Sequence, residues 1–158
     1  MTAHATVDQR GYLVRVGDKA PDFEIEMTDG TRVRLSDYAG KVVMLQFTAS
    51  WCSVCRREMP VIEDEIWKIN KDKDFALIGI DRDEPRDVVI EFGGKTGVTY
   101  PLGLDPGANI FGLYADKKSG VTRNVIIDKS GNIAFLTRLF QKAEFEEMKG
   151  AINTLLEE

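Results

Sequence analysis

The chain predicts an α/β fold, a central mixed β-sheet flanked by helices on both faces, and three observations carry that expectation. Two nearly continuous apolar runs, KVVMLQF (41–47) and FALIGI (75–80), have the character of strands buried on both faces. Between them Met59, Ile62, Ile66 and Ile69 recur at spacings of three and four, the period of a helix with one apolar stripe. Two buried strands joined by a helical crossover run parallel. Turn signals near both ends of the chain add antiparallel hairpins, which makes the sheet mixed.

The elements follow in order. FEIEM (23–27) and TRVRL (31–35) both alternate, and Asp29-Gly30 between them is a hairpin turn signal. The buried strand at 41–47 leads directly into the cysteines, and the crossover helix follows them. After the second buried strand, EPRDVVIEF (84–92) predicts a helix stopped by Gly93 and Gly94. ANIFGLY (108–114) predicts a short helix, with Phe111 and Tyr114 as core residues. RNVIID and NIAFLTRL flank the turn KSG and predict a second hairpin. Phe145, Met148, Ile152 and Leu155 form the stripe of a closing helix. Residues 1–11 are polar and expected to be a flexible tail, and 12–158 a single domain without repeats or linkers.

Composition excludes several function classes. A chain of 158 residues buries roughly 70% of its unfolded surface without needing a disulfide. The net charge of −5 and pI near 5.0 argue against a nucleic-acid partner. No apolar run approaches the length of a membrane span, and MTAHATVDQR lacks the basic start and apolar stretch of a signal peptide. GGKTG (93–97) is not a phosphate loop, because position 89 is Val where the earlier Gly is required.

The chemistry is concentrated in TASWCSVCRREMP (48–60), which holds both cysteines of the chain. A bridge between Cys52 and Cys55 would close a very short loop and remove little chain entropy, so a structural staple is a poor use of the pair. A closed zinc site needs four ligands, and the single His4 sits in the tail. A c-type haem site needs His where Arg56 stands. Dithiol exchange is the leading reading. The buried strand delivers the chain to the sheet's carboxyl edge, and helix resumes near Ser53. Cys52 therefore sits close to a helix N-terminus, where free N–H groups and the macrodipole favour a thiolate. Cys55, one turn inside, is placed to resolve a mixed disulfide. Trp51 offers an apolar surface beside the pair. Arg56 and Arg57 read as a solvated helix face.

WCSVC between a buried strand and a helix resembles thioredoxin. VGDKAPDFEIEMTDGTRVRLSDYAGKVVMLQFTASWC (16–52) resembles the TlpA/ResA branch of thioredoxin-like thiol–disulfide oxidoreductases, and over its first two-thirds the peroxiredoxins. Pro60 matches the kink proline of the family's active-site helix. The segment at 75–100 is similar to the branch's central β-α insertion, and GVTRNVIIDKSGNI (120–133) to the strand and hairpin facing the cysteines. The resemblance implies a thioredoxin-like fold and the reduction or exchange of disulfides in protein partners. It implies an upstream thiol reductant, no nucleic acid, no membrane span, and no cofactor beyond a redox-active Cys52–Cys55 disulfide. A monomer in the periplasm or cell envelope after removal of a signal is expected, with a cytoplasmic location as the alternative.

Carried over by residue, Cys52 matches the nucleophile, Cys55 the resolver and Trp51 the family tryptophan. Gln46 falls where thioredoxin has a buried acid and cannot titrate. Glu84, with Asp83 the near miss, matches the acid after the next strand and is expected to tune the thiols; its other reading is a helix-start acid before Pro85. The Ser-Val between the cysteines leaves the potential open, and a reductant or exchanger rather than a strong oxidant is expected. Thr122 stands where the family places a cis-proline opposite the cysteines, with Val121 before it. A cis bond before a non-proline residue costs about 2.5–4 kcal/mol, so the Val121–Thr122 peptide is expected to be trans. Two alternatives remain. A thiol peroxidase is suggested by the shared upstream segment, although Ala49 stands three residues before Cys52 where a peroxidase has Thr. A Cu(I) chaperone would use the soft thiolate pair, but no His follows His4.

Overall fold

In a computed structural model, which describes residues 8–158, the chain forms one seven-stranded mixed sheet with helices on both faces. The strands are β1 (Glu24–Met27), β2 (Arg32–Arg34), β3 (Val42–Thr48), β4 (Phe75–Arg82), β5 (Leu102–Asp105), β6 (Arg123–Ile127) and β7 (Ile133–Arg138). Their order across the sheet is β2-β1-β5-β4-β3-β6-β7. β3 and β4 pair in parallel over their whole length, from Val42 opposite Phe75 to Thr48 opposite Asp81. β6 then pairs antiparallel with β3, and β7 with β6. Every residue of β3 is buried, as expected of a central strand with helices above and below. β1 and β2 form the predicted hairpin, and Gly30 supplies the positive φ of its turn (+89°).

Helix α1 (Ser53–Ile62) follows the cysteine pair and continues through a π turn (Glu63–Trp67) to Asn70. This turn corrects the predicted stripe. Met59, Ile62 and Ile66 are buried, but Ile69 is exposed and Asn70 is buried in its place. A π turn inserts one extra residue, so the core-facing positions after it move on by one. Asn70 donates Nδ2–H to the Ile66 carbonyl at 2.9 Å, while its Oδ1 has no partner among the described residues.

Helix α2 (Arg86–Thr96) starts after Pro85 and does not stop at Gly93 and Gly94. Gly93 serves packing instead: a Cβ there would lie 2.8 Å from Leu102 Cδ1. The stop is Gly97, left-handed at φ +75°, whose N–H bonds the Gly93 carbonyl. Strand β5 has no apolar period of its own to mark it in the sequence. It is a four-residue strand between two prolines, and it owes its place to its neighbours β1 and β4.

Helix α3 (Phe111–Tyr114) and helix α4 (Lys142–Leu156) complete the fold. Phe111 and Tyr114 are fully buried against Phe47, with ring centroids 5.6 and 5.5 Å away. Phe145, Met148 and Ile152 of α4 are buried as predicted, each contributing roughly 1.5–3 kcal/mol of apolar burial. The expected flexible tail falls in part on residues 1–7, outside the described residues. Residues 8–11 lie along the body, with Arg10 Nη1 bonded to Glu144 at 2.6 Å and its carbonyl accepting from Arg123.

Candidate active site

β3 ends at Thr48 and a short turn carries Ala49–Trp51 to the start of α1. Cys52 is the N-cap of that helix, and the Cys55 N–H donates to Cys52 Sγ at 3.2 Å. The sulfur thus occupies the role of a capping oxygen, taking one of the N–H groups that the first helical turn leaves free. Both thiols are free in the structure. Cys52 keeps 7% of its surface exposed and Cys55 none, so only the first sulfur is open to attack a substrate.

The electrostatics divide the pair in the same sense. A hydrogen bond from the Cys55 thiol is the largest influence on Cys52, ahead of opposing burial. Together with backbone N–H groups and the charge of Arg138 it lowers the Cys52 thiol to about 6. Burial, followed by the nearby Cys52 sulfur, pushes the Cys55 thiol far up. The two shifts run in opposite directions, favouring the thiolate at Cys52 and the protonated thiol at Cys55.

Beneath the pair lies a polar cluster. Glu58 is on α1 but faces inward and is fully buried. Thr122 Oγ1 donates to its Oε1 at 3.1 Å, and Asn124 Nδ2 to its Oε2 at 3.1 Å. Burial outweighs these bonds and raises the carboxyl to about 7. Gln46, buried on β3, accepts from the Tyr100 hydroxyl at 2.7 Å, while its Nε2 faces the Glu58 side without a hydrogen bond of good geometry. Glu58 was not singled out from the sequence. The available signal was its spacing: with Cys55, Met59 and Ile62 it lies on the buried stripe of α1, an odd place for a carboxylate.

The Val121–Thr122 peptide is cis, which corrects the trans expectation. Thr122 is gripped from several sides that the local sequence does not reveal. Its hydroxyl is held by Glu58, and its carbonyl accepts from the Leu139 N–H at 3.0 Å and from Arg138 Nη1 at 3.3 Å. The Val121 carbonyl lies 3.8 Å from Cys52 Sγ. Trp51 is 63% exposed beside the pair, a surface residue rather than a core one.

Glu84 touches the active-site turn, not the sulfurs. The Ser50 N–H and hydroxyl both donate to its carboxylate, and Arg56 Nη1 donates to the Ser50 carbonyl at 2.7 Å. The residue before Trp51 is therefore pinned at all three of its polar groups. Asp83 points elsewhere, accepting from the Gly107 N–H at 2.8 Å. Behind Glu84, Asp81 is fully buried, and neither of its oxygens has a donor among neighbouring groups. Burial and the adjoining Glu84 raise its carboxyl to about 9, so it carries a proton and gives it to a hydrogen bond with Glu84. Burial works against Glu84 too, but the bonds from Asp81 and Ser50 hold it below the usual carboxylate range. Among the described residues no group of three or more His, Cys, Asp or Glu is arranged to hold a metal ion.

The family model AhpC/TSA matches residues 16–136. The thiol–disulfide oxidoreductase ResA of Geobacillus kaustophilus is 33% identical over 84% of this chain and 75% of its own. A solution structure from Bacteroides thetaiotaomicron, assigned as a protein disulfide isomerase, is 61% identical, covers 94% of each chain and superposes with a TM-score of 0.91. A Chlorobium tepidum thiol:disulfide interchange protein of the thioredoxin family is 25% identical, covers 89% of this chain and 97% of its own, and has a TM-score of 0.73.

Proposed function

The chain belongs to the AhpC/TSA family, among the thiol–disulfide oxidoreductases related to ResA, and from that premise we propose that Cys52 attacks disulfides of protein partners and Cys55 resolves the product. The observation that carries this is the asymmetry of the pair: one sulfur open and lowered to about 6, the other sealed and raised.

The Cys52 thiolate attacks one sulfur of a substrate disulfide. A Cys52–substrate bond forms, the substrate S–S bond breaks, and the second substrate sulfur leaves as a thiolate that takes a proton from solvent. Cys55 then loses its proton and attacks Cys52 Sγ. The Cys52–Cys55 disulfide forms, and the first substrate sulfur leaves and is protonated. The substrate gains two electrons and two protons, and the protein is oxidised by the same amount. An external dithiol returns it to the reduced state. Glu58, near 7 and buried under the pair, is the proton store for Cys55. The Val121 carbonyl accepts a backbone N–H of an extended substrate. Glu84 tunes the thiolate at one remove, by fixing Ser50 and with it the turn that carries Cys52.

Cys55→Ser should accumulate a mixed disulfide with a disulfide-bonded protein substrate, and Cys52→Ser should not. If Cys55 is alkylated first in the reduced protein at neutral pH, the order of attack is wrong. A Cys52 thiolate near 6 lies between the values of about 7 in thioredoxin and about 3.5 in the strong oxidant DsbA. The working direction is reduction or exchange, and equilibration with glutathione checks it. We place the protein outside the cytoplasm as a monomer, on the TlpA/ResA resemblance, with cell fractionation and light scattering as the tests. No helix of the described residues is long and apolar enough to cross a membrane.

A further inference from the structure

A groove of about 370 Å³ runs from Trp51 to Gly120, the residue before the Val121 carbonyl that faces Cys52. Its walls carry Arg82, Lys117 and Lys118, with Asp83 as the opposing charge. Arg138 stands at the far side of the same loop, where a Cβ on Gly120 would lie 3.0 Å from its Nη2. None of these four cations belongs to an ion pair among the described residues. Arg82 donates to the Ser119 and Lys117 carbonyls and stacks 4.1 Å over Phe111, so its charge is fixed in place without being neutralised. Lys117 Nζ rests on the Asn109 amide oxygen at 3.2 Å. The acids around this group are already engaged: Asp83 accepts from the Gly107 N–H, Asp116 from the Lys118 N–H, Glu144 from the Arg138 N–H and from Arg10, and the buried Asp105 from Ile110 and Phe111. The whole chain carries −5, so a cationic strip beside the reactive sulfur runs against the charge of the rest of the protein.

We propose that this groove docks an acidic segment of a disulfide-bonded polypeptide, with Lys117 and Lys118 as specificity-determining residues and Trp51 as the apolar contact. The proposal rests on the disulfide-exchange reading above and adds the substrate class. Carboxylates flanking a substrate cystine would meet the lysines while the backbone reaches Val121 and the cystine reaches Cys52. Cations that belong to no ion pair have none to lose when they take a carboxylate from a substrate. Concentrated charge in a concave site raises the encounter rate with an oppositely charged partner and fades as salt rises. The cationic strip adjoins Trp51 and the loop whose Val121 carbonyl faces Cys52, so an occupant that carries a cystine suits it better than a membrane surface.

The test compares two synthetic peptides with the same intramolecular disulfide, one flanked by Glu and one by Lys. Each reacts with the pre-reduced protein in single-turnover stopped flow at low salt. Hydroxyethyl disulfide, small and neutral, reports separately on whether the dithiol reacts at all. The expected result is a second-order rate constant at least about fivefold larger for the acidic peptide, collapsing toward equality at 0.5 M salt by the order of screening expected. K117Q/K118Q should abolish the preference, and K117E/K118E should invert it. A wild-type protein that reduces hydroxyethyl disulfide but shows no peptide preference overturns the groove assignment alone. So does a preference that survives charge reversal, or binding to phosphatidylserine-rich vesicles without any peptide preference. Failure with every disulfide would instead overturn the exchange reading beneath it.

Discussion

Thr122 and Glu58 meet at 3.1 Å beneath the thiol pair, the hydroxyl of the loop that faces Cys52 donating to a buried carboxylate of the cysteine-bearing helix. The two sides of the site are thereby joined through one proton-binding group. The Thr122 bond favours the ionised form of Glu58 and opposes the burial that raises its carboxyl.

Thr122→Val should therefore move the Glu58 titration above about 7. Carboxyl-selective carbon NMR across pH 5–10 measures it directly. A midpoint that does not move would mean that the hydroxyl contributes nothing to the charge state of Glu58.

Glu58→Gln tests the proton store. Cys52 and Glu58 titrate near 6 and 7 and repel each other as anions, so the wild-type thiolate should appear in two overlapping steps. With Gln the iodoacetamide profile should become a single step at or below about 6. Resolution by Cys55, deprived of its proton acceptor, should slow by about 10²-fold, the lower end of general-base effects. Mixed disulfide would then accumulate even with Cys55 present. A two-step profile that persists in the variant would assign the second step to another group.

The parts of this architecture that were legible in the sequence are those that a single period describes. KVVMLQF and FALIGI are apolar at nearly every position because both faces of their strands are covered, and they became β3 and β4 with the parallel pairing expected. Cys52 was placed at a helix start by the strand before it and the apolar stripe after it. Ile69 was misplaced because a π turn changes the period in mid-helix, which no 3.6-residue pattern can register. Glu58 is hard to read beside Arg56 and Arg57, whose charges mark a solvated helix face, although its spacing from Cys55 turns it inward. The Val121–Thr122 geometry depends on partners at 58, 138 and 139, distant in sequence, while the trans expectation rested on the local bond alone.

Asp81→Asn should stabilise the protein at neutral pH. The folded value of about 9 stands above the unfolded value near 3.8. Between those limits the unfolded chain is ionised while the folded one holds its proton, so stability falls as pH rises through that window. Asn keeps the shape and can still donate to Glu84, but it has no charge to suppress. The variant should gain about 2–4 kcal/mol at pH 7 in urea unfolding and nothing near pH 3. A gain that is the same at both pH values would remove the carboxyl pair as its cause.

Arg123 is the least conventional buried group in the fold, and its place suggests what it does. It has no exposed surface. Nε donates to the Gly120 carbonyl at 2.8 Å and Nη2 to the Arg10 carbonyl at 2.7 Å, while the guanidinium lies 4.7 Å over the Tyr12 ring. Nη1 has no partner, and burial lowers its pKa. A well-packed apolar side chain is often no worse than a buried charge, so the charge itself is weak grounds for stability. The two carbonyls are different: both bonds are part-buried, and losing each donor costs toward the lower end of the about 1–3 kcal/mol of an unpaired buried acceptor. Arg123→Met should lower stability by about 2 kcal/mol and release Gly120 and, with it, the Val121 carbonyl that faces Cys52. The KM for a disulfide peptide should then rise several-fold while the pH midpoint of Cys52 alkylation by iodoacetamide stays near 6, because the Cys55 thiol, the backbone N–H groups and Arg138 that lower it are unchanged. Arg123→Lys, which retains one donor, should recover part of the KM. A loss of stability with no change in KM would confine Arg123 to holding the residue 8–11 segment against the body.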